Sequence, residues 1–227
     1  MSGSPPTGRD KEPRLKPPDP TPIFHITDVD NLGRILNDGG LHCKHTLDAQ
    51  AATYTNIAYD TVQDRRAQTR VPCGPGGALH DYVPFYFAPR SPMLYAINRG
   101  IVPGYTRGQR SVIYLVSTAQ AVAAAKLAWV FTDGHGIMQM TECFDDLACL
   151  DRIDWGIMRE RYWADTLEDG DRKRRRQAEF LVHRFFPWGL AQAIRVLDDA
   201  MKDAVEKALE NAPRQPNVKV ESRWYYD

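Results

Sequence analysis

Residues 177–182 read Gln177-Ala178-Glu179-Phe180-Leu181-Val182, a carboxylate set into an apolar run. The bulk and spacing of the run predict a strand over Ala178 to His183. Glutamate is seldom buried without a partner, because an ionised carboxylate is costly to remove from water. Glu179 therefore needs a reason. One is a structural ion pair with one of the many arginines, five basic residues (Arg172-Lys173-Arg174-Arg175-Arg176) lying immediately upstream. The other is chemistry, since perturbed carboxylates gather where reactions need them.

Outward from this strand, short apolar runs alternate irregularly with helical patterns. Ile23 to Thr27 reads as a strand, and Asp28 caps a helix with Leu32, Ile35 and Leu36 on one face. Gly39 and Gly40 stop that helix, and Leu41 starts another strand. Thr61 to Arg70 is predicted helical and Tyr82 to Phe87 a strand. Ser91-Pro92 supplies a cap and first residue for a helix over MLYAI. Ser111 to Ser117 is a buried strand, followed by an alanine-rich helix (119–128) and a strand at Trp129 to Thr132. Two helical pieces are expected between Glu142 and Trp163, then a polar loop. After the Glu179 strand come a strand at Ala193 to Leu197, a helix over Asp198 to Asn211 and a strand at Val218 to Glu221. No period repeats, and neither GxGxxG nor GxxxxGK[ST] occurs, which excludes Rossmann and P-loop devices for any dinucleotide. The irregular order favours α+β over a doubly wound sheet.

The 227 residues suit one globular domain, and 43% hydrophobic content is enough for a core. Residues 1–20 carry six prolines and almost nothing apolar, so they are expected to form a disordered arm, with the domain spanning 21–227. Twenty-nine basic and 29 acidic side chains balance, so any nucleic-acid contact must be local. No run approaches the ~20 apolar residues of a membrane span, and the N-terminus lacks the apolar segment of a secretory signal. Cys43, Cys73, Cys143 and Cys149 show no CxxC pair and are expected to be reduced thiols in a cytoplasmic protein, Cys143 and Cys149 on a helix. His42-Cys43-Lys44-His45 lacks the further ligands of a zinc site, so no metal is expected.

Two other segments carry chemistry. His25 and Thr27, two apart on a strand, share a face and can bond a ribose or carboxamide; they equally suit a polar pair at a strand edge. Phe85-Tyr86-Phe87-Ala88 leads to Ser91 and Tyr95, four apart on one helical face, an arrangement that can line a slot for a planar ring or simply pack the core.

Taken in order, H-x-T, Asn31 with Ile35-Leu36 and Gly40-Leu41-His42, then Tyr-Phe-Ala with Ser91 and Tyr95, then a late glutamate in an apolar strand resemble the ADP-ribosyltransferase fold of the poly-ADP-ribose polymerase type. The resemblance is closer to the DarT family of bacterial toxins that ADP-ribosylate DNA. It rests on PTPIFHITDVDNL (20–32), VQDRRAQTRVP (62–72), GGALHDYVPFYFAPRSPMLYAI (76–97), VFTDGHG (130–136), RRQAEFLV (175–182) through PWGL, and Trp224-Tyr225-Tyr226. The Pro-rich arm lies outside it.

The resemblance implies a split β-sheet flanked by helices and NAD as co-substrate. It implies that His25, Ile26, Thr27, Asn31, Arg34, His42, Arg66, Tyr86 and Tyr95 hold NAD, with Tyr86 and Tyr95 bracketing nicotinamide. Glu179 and Arg66 would be catalytic, with Arg65 as the other candidate arginine. The implied acceptor is thymine in single-stranded DNA, met by the loop around His135. Independently of the resemblance, the basic run 172–176 reads as either a solvated loop or, from its place beside the Glu179 strand, a phosphate track with Arg174 and Arg175 on the DNA. Protein or water as acceptor keeps the same NAD half. A macrodomain antitoxin of the DarG type is the implied partner.

Overall fold

The structure, a computed structural model, describes residues 15–227. Most of the expected Pro-rich arm thus lies outside the described residues, and 15–20 contain no helix or strand. The strands are β1 (Pro22–Asp28), β2 (Gly40–His42), β3 (Tyr82–Tyr86), β4 (Val112–Thr118), β5 (Trp129–Thr132), β6 (Cys143–Phe144), β7 (Glu179–His183), β8 (Phe185–Pro187), β9 (Ala193–Val196) and β10 (Asn217–Val220). The helices are α1 (Leu32–Asn37), α2 (Lys44–Ala49), α3 (Asp60–Gln68), α4 (Pro92–Asn98), α5 (Ala119–Ala124), α6 (Trp155–Arg159), α7 (Arg172–Arg176) and α8 (Asp199–Leu209).

Eight strands form one sheet in the order β10-β9-β4-β1-β3-β7-β5-β6, antiparallel except for the β10–β9 pair, and β2 and β8 form a second. Side-chain alternation explains why the runs read as continuously apolar. On β1 and β4, Ile23, Ile113 and Leu115 face one core with Phe85, Phe131, Phe180 and Val182, while Phe24, Ile26, Val112 and Tyr114 face a second with Leu94, Ile97 and Tyr225. A third cluster places Tyr82, Val130 and Leu181 beneath Val71, Leu79 and Ile137.

The sheet is split where β1 meets β3. β1 pairs with β4 along its whole length, but with β3 only at Phe24 opposite Tyr86. β3 is instead laddered to β7, with Tyr86 opposite Glu179. The α+β class with a split sheet is therefore what the chain adopts.

Several expectations need correction. Residues 142–163 do hold two helical pieces, a 3₁₀ helix at Leu147–Arg152 and the short α6, but an unexpected strand, β6, precedes them. The β5–β6 hairpin wins because Phe144 stacks on Phe131, their ring centroids 5.0 Å apart. The polar loop contains α7, organised by acidic neighbours described below. Cys73 and Cys143 form a disulfide with Cα atoms 6.1 Å apart, so two of the four thiols are not free, and Cys143 lies on a strand. Cys43 is a free buried thiol and Cys149 a free half-buried one.

Candidate active site

Opening of the sheet between β1 and β3 leaves a cleft of about 1310 Å³. It exceeds the range of a typical small-ligand pocket, so a dinucleotide and part of a second substrate fit together. β1 supplies His25, Ile26 and Thr27; α1 and its entry supply Asn31 and Arg34; β2 supplies His42. Arg66 comes from α3, Tyr86 from β3, Tyr95 from α4 and Glu179 from β7. Every residue implied to hold NAD thus borders one space.

At its floor sits a buried ion pair. Glu179 is 3% exposed and Arg66 6%, and Arg66 Nη1 donates to both carboxylate oxygens, at 2.7 and 3.0 Å. Such a charge-assisted contact is what allows a carboxylate to remain in an apolar strand. Arg66 Nη2 is buried without a hydrogen-bond partner among the described residues, a donor free for a substrate. Of the two adjacent arginines, Arg66 therefore reaches Glu179, whereas Arg65 Nη2 lies 3.4 Å from the Ile137 carbonyl.

The hairpin loop between β5 and β6 closes over this pair. A Cβ at Gly136 would come within 3.1 Å of Glu179 Oε2, so glycine lets the loop backbone approach the carboxylate. His135 Nδ1 is 3.8 Å from Glu179 Oε1, and burial pushes its pKa down, partly opposed by the Glu179 charge. The Glu179 N–H donates to Thr132 Oγ1 at 3.2 Å, tying the two strands at this level.

His25 Nδ1 lies 2.8 Å from the Pro84 carbonyl, which can only accept. The Nδ1 proton is thus fixed and Nε2 is left as an acceptor, suited to a ribose hydroxyl. Burial pushes its pKa down to about 4, so the ring is neutral at physiological pH. Tyr86 is half-buried, and its hydroxyl pKa is raised by desolvation first and by the Glu179 charge second. Tyr95 stands edge-on to Trp163 and Tyr226, at 5.9 and 5.2 Å between centroids. Ser91 does not join this slot; its Oγ caps α4 by accepting from the Leu94 N–H.

The basic run behaves differently from a free phosphate track. Arg174 borders the cleft but donates to Asp171 at 2.7 Å and Asp133 at 3.2 Å. Arg175 does not line the cleft: Asp154, Asp169 and Asp171 take up its guanidinium. Arg176 is 3% exposed and grips the carbonyls of Ile157, Met158, Glu160 and Pro89. Of the two arginines expected on the phosphates, only Arg174 borders the cleft, because carboxylates folded the run into α7.

Sequence reasoning passed over part of one wall. Trp163 Nε1 donates to the Tyr226 hydroxyl at 2.8 Å, and the Arg90 guanidinium lies 4.2 Å above the Tyr226 ring. All three line the cleft. Trp224 packs against Phe24 and Tyr225 against Tyr114, but Tyr226 reaches the site. An aromatic triplet closing a charged tail was the available signal. Among the described residues, no group of three or more His, Cys, Asp or Glu side chains gathers to hold a metal. No helix there is long and apolar enough to cross a membrane.

Comparison with known proteins accounts for this constellation. The family model described as DarT, ssDNA thymidine ADP-ribosyltransferase, matches residues 24–226. A DNA ADP-ribosyl transferase of Thermus sp. (strain 2.9) is 46% identical over 211 residues, covering 92% of this chain and 98% of that protein. The structure of Thermus sp. 2.9 DarT in complex with ADP-ribosylated ssDNA superposes with a TM-score of 0.88 at 44% identity, covering 94% of this chain and 100% of that one. The same protein in complex with NAD+ gives 0.82 at 42% identity, over 93% and 100%. The chain belongs to the DarT family of single-stranded-DNA thymidine ADP-ribosyltransferases and is an NAD-dependent DNA ADP-ribosyltransferase.

Proposed function

We propose that Glu179 and Arg66 carry the transfer and that the acceptor is thymine in single-stranded DNA. The observation that carries this reading is the Arg66–Glu179 pair on the floor of the split-sheet cleft, beneath the His135 loop. Breaking the bond between nicotinamide and ribose develops positive charge on the sugar, as in glycoside hydrolysis. A carboxylate in a dry site stabilises that charge more than water does. Arg66 orients Glu179 and keeps Nη2 for the substrate. The sugar carbon gains a bond to the thymine ring nitrogen as the bond to nicotinamide breaks, and the ring proton passes to Glu179. In a duplex that nitrogen is engaged in pairing, so an unpaired base is required.

His25, Thr27 and Tyr86 hold the NAD half, with Ile26, Arg34, His42 and Tyr95 completing its walls. His135 and Arg174 face the acceptor strand, and Lys173 borders the same side. The enzyme acts in the cytoplasm, where NAD and DNA meet, as a toxin restrained by a DarG-like macrodomain antitoxin that removes ADP-ribose. Support for that partner comes from the harm a DNA-modifying enzyme does to its own genome and from the family resemblance.

The test incubates the protein and Glu179→Ala with NAD and single-stranded oligonucleotides with or without thymidine, read by mass spectrometry. One added ADP-ribose that needs both thymidine and Glu179 supports the reading. NAD consumption with unmodified DNA moves the acceptor to protein or water. An undiminished adduct from Glu179→Ala removes the glutamate from the chemistry.

A further inference from the structure

The stretch between α2 and α3 has no helix or strand, yet residues 54–59 form one wall of the cleft. A wall without a ladder must satisfy its backbone polar groups in some other way. Asn31 does so at Thr55. Its Nδ2 donates to the Thr55 carbonyl at 3.0 Å, and its Oδ1 accepts from the Thr55 N–H at 2.8 Å. The remaining Nδ2 hydrogen goes to Thr27 Oγ1, also at 3.0 Å. The carboxamide thus imitates one rung of a sheet and joins it to β1.

Among the described residues, the backbone of 53–58 reaches the rest of the fold by hydrogen bonds only through Asn31; the remaining bond there is local, from the Ala58 N–H to Asn56. Asn31 is 9% exposed and both of its amide hydrogens are spent inside the protein. It has no donor left for a ligand.

We propose that Asn31 is a positioning residue for NAD, a latch that holds the Thr55 wall against the Thr27 floor. The proposal rests on the reading of this cleft as the NAD site. With the latch closed, the wall is already ordered when NAD arrives. Without it, that ordering must occur on binding, and the affinity falls while the Arg66–Glu179 chemistry is untouched.

The test uses the full chain with Asn31→Ala and Asn31→Asp. Hydrogen exchange measured without NAD should speed up at residues 52–58 in Asn31→Ala, with the remainder of the sheet unchanged. Saturating NAD should restore protection. In steady-state assays KM for NAD should rise about tenfold, as expected for losing the two hydrogen bonds that hold Thr55, with kcat within about twofold. Asn31→Asp keeps an acceptor for the Thr55 N–H and should fall between the two proteins. A raised KM with unchanged exchange at 52–58 would overturn the latch, because the side chain would then be touching NAD itself. Faster exchange throughout the sheet with a fall in kcat would overturn it in favour of a purely structural role. Failure of the cleft reading looks different: the unsubstituted protein would not consume NAD, and the NAD assignment would fall whatever the exchange pattern.

Discussion

Glu179 announced itself by incongruity, one carboxylate in an apolar strand, and its partner lay 113 residues earlier in the chain. Removing only the partner leaves a buried charge uncompensated. Arg66→Met should therefore cost about 3–5 kcal/mol in urea unfolding, in addition to abolishing transfer. Arg66→Met combined with Glu179→Leu should recover most of that stability while remaining inactive, because a well-packed apolar pair replaces a buried ionic one. A single substitution with an unchanged midpoint would mean that water reaches the carboxylate and that the pair is not dry. His25 and Thr27 were legible as a same-face pair on a strand. The task of His25 was not, because Pro84, which fixes its tautomer, comes from another strand; Thr27 is met by Asn31 only four residues on, at the entry to α1.

At the scale of elements, neighbours override local character. The run 172–176 reads as a solvated loop or a phosphate track, and it became α7 because Asp133, Asp154, Asp169 and Asp171 surround it. Arg175→Ala should consequently leave the salt dependence of oligonucleotide binding unchanged, whereas a phosphate contact would lower the slope by about one unit. Fluorescence anisotropy across a salt series separates the two. The β5–β6 hairpin is held to the segment after α3 by Cys73–Cys143, a bridge across 70 residues. Loop entropy assigns such a closure about 4 kcal/mol. Cys73→Ser or added reductant should lower the melting temperature accordingly, and an unshifted melt would show that the bridge carries no weight in solution. Cysteine spacing alone offered no route to this pairing, since a single bridge among four cysteines can be drawn in six ways.

Across the whole molecule, burial depresses the pKa of His25, His80, His135 and His183 together. A histidine whose folded pKa lies below its unfolded value of 6.5 takes up a proton more readily when unfolded. Stability is therefore full above about pH 6.5 and falls as pH drops toward 4, the folded value for His25. Lowered carboxylate pKa values at Asp81, Asp169 and Asp198 push in the same direction at still lower pH. Melting temperatures at pH 7.5, 6 and 5 should decrease in that order. A flat profile would mean these rings are hydrated in the folded state.

The sequence by itself determined the strands that alternate between two cores, the helix capped at Ser91, and the misfit carboxylate that marks the site. These are local properties, written in side-chain period and capping chemistry and read within a few residues. Only the tertiary structure decided where the sheet opens, which arginine of the Arg65-Arg66 pair meets Glu179, which bases are already neutralised, and that Tyr226 lines the cleft while Tyr225 is core. Each of those depends on groups separated by tens of residues, whose meeting is set by sheet order and packing and leaves no periodic trace along the chain.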